Sequence, residues 1–157
     1  MDTLVFSGST YADLISKTKD FYLFFRLLNH LIRVLMEKQE LITALFKAMN
    51  TRDFSTIENQ VTEDVAFDFP GAGRIEGARR MFIFLKALLR KYKVLIFTVK
   101  EVLTDNNAAC AIWTNKGEHI EGRDYANSGV TLFHFEGDKI SFLSDYLILL
   151  RKLLLIH

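Results

Sequence analysis

The first third of the chain alternates polar and apolar residues with the spacing of a helix. Arg26, Asn29, His30 and Arg33 recur three and four positions apart within residues 21–36, and most of the residues between them are apolar. This spacing predicts a helix with an unusually wide apolar face. Such a helix needs something to cover it.

The next segment leaves two arrangements open. Residues 37–40 are polar, and the apolar pattern then resumes with helical spacing up to Asn50. The polar stretch either separates two helices or is the exposed part of one long helix. A short helix is expected after it, because Ser55 and Glu58 have the spacing of a capping box.

The remainder of the chain predicts strands interrupted by one helix. Residues 65–69 alternate and stop at Pro70, and residues 76–92 place their apolar side chains on one helical face. Turn signals at residues 105–107, at Gly117 and at residues 137–138 separate further alternating segments. These predicted strands cover residues 94–104, 108–116, 123–135 and 139–149. Helices followed by antiparallel strands predict an α+β domain, with the helices on one face of a curved sheet.

Composition narrows the class of protein. At 157 residues and 50% hydrophobic content, the chain can bury a core as one domain. Its 20 basic and 19 acidic residues give no charged surface for nucleic acid, so nucleic acid is not an expected partner. Cys110 is the single cysteine and cannot form an internal disulfide, and residues 1–7 lack the pattern of a secretory signal. These features predict a cytoplasmic location.

Candidate chemistry is concentrated in residues 125–146. They read as two strands around a turn, with Asn127 and Asp145 the polar residues expected to point inward among apolar neighbours. A buried carboxylate must be paired, hydrogen-bonded or protonated. Asp145 is therefore either a general acid or base with a raised pKa, or a structural carboxylate that holds backbone amides.

Other kinds of site have no support in the sequence. The four histidines have no ligand spacing and Cys110 has no companion, so neither a metal nor a cofactor is predicted. A Gly-x-Ser-x-Gly elbow is absent, and Gly71 and Gly73 alone do not make a phosphate loop.

The order of these elements resembles a known family. Residues 67–77 between strand and helix, and residues 127–140 leading to Asp145 and Tyr146, resemble the SnoaL-like polyketide cyclases. These belong to the wider nuclear transport factor two-like, or ketosteroid isomerase-like, superfamily. The resemblance covers residues 40–147. It implies a cone in which a strongly bent mixed or antiparallel sheet wraps a long helix and leaves an apolar pocket, with residues 1–36 as an extra N-terminal helix.

The catalytic residues of related enzymes are only partly present. The three proton-transfer positions of ketosteroid isomerases fall on Leu45, Phe69 and about Ala126, none of which can move a proton. Epoxide hydrolase-like members use an aspartate that matches Asp145, but their Arg-x-Asp partner is missing from residues 111–115. SnoaL-like cyclases imply a single acid or base at this end of the pocket, which Asp145 could supply.

The resemblance and the pattern together predict a function. The protein is expected to bind a small hydrophobic, cyclic or carbonyl-bearing molecule, with Asp145 as acid or base in a cofactor-free isomerase or cyclase reaction. The alternative is a non-catalytic binding or dimerisation module, with a core filled by side chains and Asp145 bonded to backbone amides. The predicted ligand contacts are Phe67, Phe69, Met81, Leu85, Trp113, Asn127, Thr131 and Phe135.

Three segments are expected along the chain. Residues 1–36 form an N-terminal helical extension, residues 37–149 the cone domain and residues 150–157 a hydrophobic tail. The apolar residues of the two outer segments require cover. A homodimer is the favoured cover, since closed twofold symmetry is the commonest solution. Packing of the two segments on each other or on the sheet is an alternative, and a membrane surface is unlikely because the helix carries little basic charge.

Overall fold

One long helix opens the fold. The computed structural model describes residues 8–148, and it describes side chains for residues 17–34 and 36–148. Helix α1 runs without a break over Gly8–Thr51, so the polar residues 37–40 belong to one long helix and do not separate two. The hydrophobic tail, residues 150–157, lies outside the described residues.

The chain divides between Met36 and Glu37 into two compact units. In the first unit the large apolar side chains of α1 are exposed, Tyr22 by 71% and Phe24 by 61%. None of the described helices is long and apolar enough to span a membrane.

The second unit holds the sheet and a second helix. The 3₁₀-helix Glu58–Gln60 precedes the first strand. The elements that follow are strand β1 (Val61–Phe69), strand β2 (Gly73–Glu76), helix α2 (Ala78–Leu89), and strands β3 (Tyr92–Asp105), β4 (Ala108–His119), β5 (Asp124–Glu136) and β6 (Lys139–Ile148).

The six strands form one mixed sheet in the order β2-β1-β6-β5-β4-β3. Strands β1 and β6 pair in parallel, and every other pair is antiparallel. The sheet is open, with β2 and β3 at its edges. The predicted α+β class is confirmed, as are the turns at residues 105–107 and 137–138.

Two local predictions were wrong. Ser55 and Glu58 form no capping box; the side chain of Asp53 instead accepts a hydrogen bond from the Ser55 N–H, at 3.0 Å. Gly117 is not a turn residue but lies within β4, where a Cβ atom would come within 2.0 Å of the Val94 carbonyl oxygen. The glycine permits a close approach between two strands, which local sequence does not distinguish from a turn.

The core lies on one face of the sheet, under residues 37–51 of α1 and under α2. Strand alternation explains which side chains enter it, because β4 and β5 bury every second residue along most of their length. Its largest fully buried side chains are Phe54, Phe133, Ile42, Ile57, Met81, Leu89, Ile140 and Val65.

Lys38 is a buried cation at the edge of this core. Only 6% of its surface is exposed, its ammonium donates to the carbonyl oxygen of Asn106, and it lies 5.4 Å from the centre of the Phe135 ring. The carbonyl and the ring face together compensate part of the cost of burying the charge. Lys38 thereby ties α1 to the turn between β3 and β4.

Candidate functional site

A small apolar cavity lies between the sheet and the two helices. The space open to the centre of a water molecule within this cavity is about 20 Å³, which is enough for about one water. Its lining residues are Leu45, Phe46, Met49, Phe67, Met81, Leu85, Phe97, Trp113, Thr131, Phe133, Leu143 and Asp145. Asp145 is the one ionisable residue among them.

Three side chains on neighbouring strands form a hydrogen-bonded chain at this cavity. The indole Nε1 of Trp113 donates to Thr131 Oγ1 at 2.8 Å, and Thr131 Oγ1 donates to Asp145 Oδ1 at 2.6 Å. Strand register brings them together, since Thr131 lies directly opposite Asp145 on the adjacent strand. The contact between Thr131 and Asp145 therefore follows from backbone pairing.

Gly129 lets the indole reach its partner. It lies opposite Trp113, and a Cβ atom at this position would lie 2.5 Å from the indole ring. Without that side chain, the ring crosses diagonally over β5 to Thr131. Because an indole can only donate, the hydroxyl hydrogen of Thr131 is left to point at Asp145.

The direction of these hydrogen bonds determines which oxygen of Asp145 is occupied. Its Oδ1 is occupied as an acceptor, whereas within residues 8–148 no hydrogen bond reaches Oδ2. The carboxyl thus has one anchored oxygen and one oxygen available for a proton or a ligand.

The surroundings of Asp145 favour its neutral form. Burial among apolar side chains raises the pKa of Asp145 to about 6, and the hydrogen bond from Thr131 partly opposes that rise. A carboxyl of this kind exists in both protonation states near neutral pH. It can accept or release a proton under physiological conditions.

This raised pKa predicts a pH-dependent loss of stability. The Asp145 carboxyl binds its proton more tightly in the folded state than in the unfolded chain. Its contribution to the free energy of unfolding is therefore fully present below about pH 4 and is lost as pH rises to about 6. A rise from 3.8 to about 6 corresponds to roughly 3 kcal/mol. Urea unfolding of the wild type and Asp145→Asn between pH 4 and 7 checks this.

We expect the variant to gain stability relative to the wild type as pH rises through this window. Using the difference between the two proteins removes the contributions of all other titrating groups. A difference that stays constant from pH 4 to 7 would show that burial does not raise the pKa of Asp145.

The structure distributes the predicted site residues between the cavity and three other places. Phe67, Met81, Leu85, Trp113, Thr131 and Asp145 all line the cavity, whereas Phe69, Asn127 and Phe135 lie outside it. Phe69 packs edge-on against Phe84, with ring centres 5.0 Å apart, at a surface groove. Phe135 is buried under Lys38. Asn127 lies on the same face of β5 as Thr131, four residues away.

Sequence reasoning missed half of the lining. Leu45, Phe46 and Met49 have the helical spacing of a buried face, but that spacing does not say which part of the sheet they cover. Phe97 and Leu143 have the strand parity of inward residues, and parity alone does not separate a cavity wall from filled core.

Two further charged groups near the strand ends form ion pairs at the surface. Asp68 makes a two-pronged ion pair with Arg74, at 2.8 Å, and the guanidinium lowers the pKa of Asp68. Arg123, which lies next to Asp124 just before β5, pairs with Glu121. Among the described residues, no three histidine, cysteine, aspartate or glutamate side chains are grouped as a metal site would require.

The structure agrees only in part with the alternative of a non-catalytic module whose core is filled by side chains. Side chains leave room for about one water, as that alternative requires. Asp145, however, is bonded to a threonine hydroxyl and not to backbone amides. A carboxyl held by one side chain beside an apolar cavity keeps the capacity to act on a ligand.

The fold and the pattern of the chain match one family. The model of the SnoaL-like domain matches residues 42–142. The chain belongs to the SnoaL-like domain family. No curated protein matches it. The family match includes most of the cavity lining and ends just before Asp145.

Several solved structures share the fold at low sequence identity. An NTF2-like protein from Anabaena variabilis is 19% identical, with a TM-score of 0.67, over 73% of this chain and 89% of that one. A polyketide cyclase, so named provisionally, from Xanthomonas campestris is 19% identical, with a TM-score of 0.61, over 71% and 90%. An LEH-like epoxide hydrolase from M. tuberculosis is 18% identical, with a TM-score of 0.63, over 72% and 84%. These likenesses establish the SnoaL-like, NTF2-like fold.

Proposed function

We propose that this SnoaL-like protein binds a small hydrophobic carbonyl compound at the Asp145 cavity and moves a proton on it, as an isomerase or cyclase without a cofactor. The observation that supports this most is the chain from Trp113 through Thr131 to Asp145, which leaves Oδ2 beside apolar walls. A carboxyl with a pKa of about 6 is well matched to proton transfer near neutral pH.

The proposed step needs only the carboxylate and the ligand. Oδ2 of Asp145 takes a proton from the carbon next to the ligand carbonyl, and the electron pair of that C–H bond moves into an enolate. The protonated carboxyl then returns its proton to the same carbon or to another atom of the enolate. Nothing is oxidised or reduced, and the carboxylate is regenerated.

Ligand binding requires side chains to move. The present cavity holds about one water, so a ring-sized molecule must displace part of the lining. Met49 and Met81 lie in that lining, and methionine is the apolar side chain that adapts most readily to a new shape. Asp145 can stay anchored to Thr131 while these side chains rearrange.

The experiment that tests the function follows proton exchange instead of a finished product. The bicyclic ketone 2-tetralone has acidic protons beside its carbonyl, and their replacement by deuterium in D₂O can be followed by nuclear magnetic resonance. We expect the wild-type protein to accelerate this exchange above the rate in buffer. Failure to accelerate it, together with no protection of the protein against heat by the ketone, would contradict the proposal.

A second candidate is a non-catalytic ligand-binding module. The small size of the cavity favours it, because a site made for turnover is usually larger in the empty protein. The same experiment separates the two: thermal protection by the ketone without faster exchange would indicate binding alone.

We also propose that the protein forms a homodimer through the outer face of the sheet. Ile96, Tyr146 and Ile148 are each 45–58% exposed and lie on strands β3 and β6. Exposed apolar surface on a sheet favours pairing with a second copy.

We expect light scattering coupled to size exclusion to give twice the monomer mass of 18.1 kDa. The double variant Tyr146→Lys with Ile148→Lys should shift the protein to the monomer mass. Replacing Arg79 by lysine on α2 serves as the control and should leave the mass unchanged. A monomeric wild type, or a dimer that survives the double substitution, would contradict this use of the sheet.

A further inference from the structure

Two asparagines face each other on the inner surface of the sheet, away from the Asp145 cavity. Asn115 on β4 lies directly opposite Asn127 on β5 and directly opposite Phe97 on β3. Side chains of directly paired residues project from the same face of a sheet. Asn115 and Trp113 are two residues apart on β4 and therefore project from the same face of the sheet. The two amides lie next to the indole on that face.

The side chain of Asn115 is buried, and its carbonyl oxygen receives no hydrogen bond from the described part of the chain. It is 5% exposed, and its Oδ1 accepts no hydrogen bond from any residue between 8 and 148. Leaving a buried carbonyl unsatisfied costs about 1–3 kcal/mol. A group that carries this cost in the free protein marks a place where a donor from outside the chain can bind.

Neither of the two neighbouring asparagine amides donates to Asn115 Oδ1, and both bond to other groups. Asn50 on α1 bonds both backbone groups of Phe97: its Nδ2 donates to the carbonyl at 2.9 Å and its Oδ1 accepts from the N–H at 2.7 Å. Both polar atoms of the Asn50 amide are therefore used by the strand beside Asn115.

The side-chain amide of Asn127 also has hydrogen-bond partners of its own. Its Oδ1 accepts from the Ser128 N–H at 2.8 Å, and its Nδ2 is 3.4 Å from the Tyr125 hydroxyl. Tyr125 in turn packs against Tyr92, with ring centres 4.9 Å apart. Burial and the hydrogen bond with Tyr125 raise the pKa of Tyr92 to about 12, so the Tyr92 phenol stays protonated at neutral pH. The amides of Asn50 and Asn127 thus have partners, whereas Asn115 Oδ1 has none among the described residues.

We propose that Asn115 is the acceptor of a second polar subsite, which binds a hydroxyl of the ligand whose carbonyl end reaches Asp145. This inference rests on the proposed function. Thr131 and Asn127 are four residues apart along β5, a distance of about 13 Å in a strand. Trp113 lies between the two polar positions and is 2% exposed, so a ligand that spans them must displace side chains that pack on its ring. The matching ligand carries a carbonyl at one end and a hydroxyl at the other.

The chain contains its own reporter for the test. Trp113 is the only tryptophan, so changes in its fluorescence report binding next to the proposed subsite. The probes are 2-naphthol and 2-methoxynaphthalene, which share a ring system, although only the first can donate a hydrogen bond. We expect the wild type to bind 2-naphthol about tenfold more tightly, which corresponds to one buried hydrogen bond.

Asn115→Leu should remove this preference and also raise the melting temperature, because it replaces an unsatisfied carbonyl with an apolar group of similar size. Asn115→Ala removes the same amide without adding apolar bulk and without leaving an acceptor, and it serves if the leucine variant does not fold. Thr114→Leu, one residue away on the opposite face of β4, is the matched control and should keep the preference.

The results separate this subsite from the proposed function. Loss of the preference in Asp145→Asn, with full preference in both Asn115 variants, would overturn the subsite by placing the hydroxyl at Asp145. Equal binding of the two probes, or no binding of either, by the wild type would also overturn it. A preference that depends on Asn115 supports the subsite even where 2-tetralone exchange is not accelerated, a result that counts only against catalysis by Asp145.

Discussion

Replacing Asp145 with asparagine is expected to slow the exchange of 2-tetralone protons by about two to four powers of ten. The substitution keeps the shape of the side chain and still accepts a hydrogen bond from Thr131, but it cannot take up a proton. Binding of the ketone should change little, because the apolar walls are untouched. Exchange followed by nuclear magnetic resonance at pH 7, with ligand affinity from Trp113 fluorescence, measures both quantities.

The pH dependence of the wild type provides a second readout of the same group. Since the carboxylate is the base, the exchange rate should rise with pH and level off above the pKa of Asp145, which is about 6. Asp68→Asn removes a surface carboxylate that pairs with Arg74, and as a control it should leave both rate and pH profile unchanged. Equal rates for the wild type and Asp145→Asn would end the proposed role of Asp145.

Strand alternation made much of this site predictable. Alternation predicts that Thr131 and Asp145 both point inward, but not that they pair, because they lie six and seven residues from the two ends of the turn at residues 137–138. The register shifts by one residue between His134 and Phe135, and this irregularity brings Thr131 opposite Asp145. The same alternation puts Trp113 on the inner face of β4. What alternation could not predict is that the indole crosses to Thr131, because that contact depends on Gly129 lacking a side chain on another strand.

The parts that sequence could not predict all depend on tertiary placement. Strand β2 was missed because residues 73–76 are few and contain a single apolar residue, and they become a strand only by pairing with β1. Phe69 has the parity of Phe67 but sits at the strand end, where it packs on Phe84 of α2 instead of entering the cavity. The position at which a helix crosses the sheet decides whether a residue of inward parity enters the cavity.

Replacing Trp113 with alanine is expected to destabilise the fold by about 3–5 kcal/mol. The side chain is 2% exposed and packs against Phe97 and Phe46, with ring centres at 5.3 and 6.5 Å. Its removal would leave a large void over Gly129 in addition to the lost hydrogen bond with Thr131. Urea unfolding monitored by circular dichroism measures the effect, since the variant has no tryptophan to report fluorescence.

Trp113→Phe separates packing from hydrogen bonding. It retains most of the ring volume, so a smaller loss of stability is expected, but Thr131 loses the donor that directs its hydroxyl toward Asp145. That hydroxyl could then rotate away and weaken its support of the carboxylate, and the pKa of Asp145 should rise further. The midpoint of the exchange-rate profile would move to higher pH in this variant. An unchanged midpoint with reduced stability would show that the indole fills the core without orienting Thr131, and unchanged stability of Trp113→Ala would contradict its place in the core altogether.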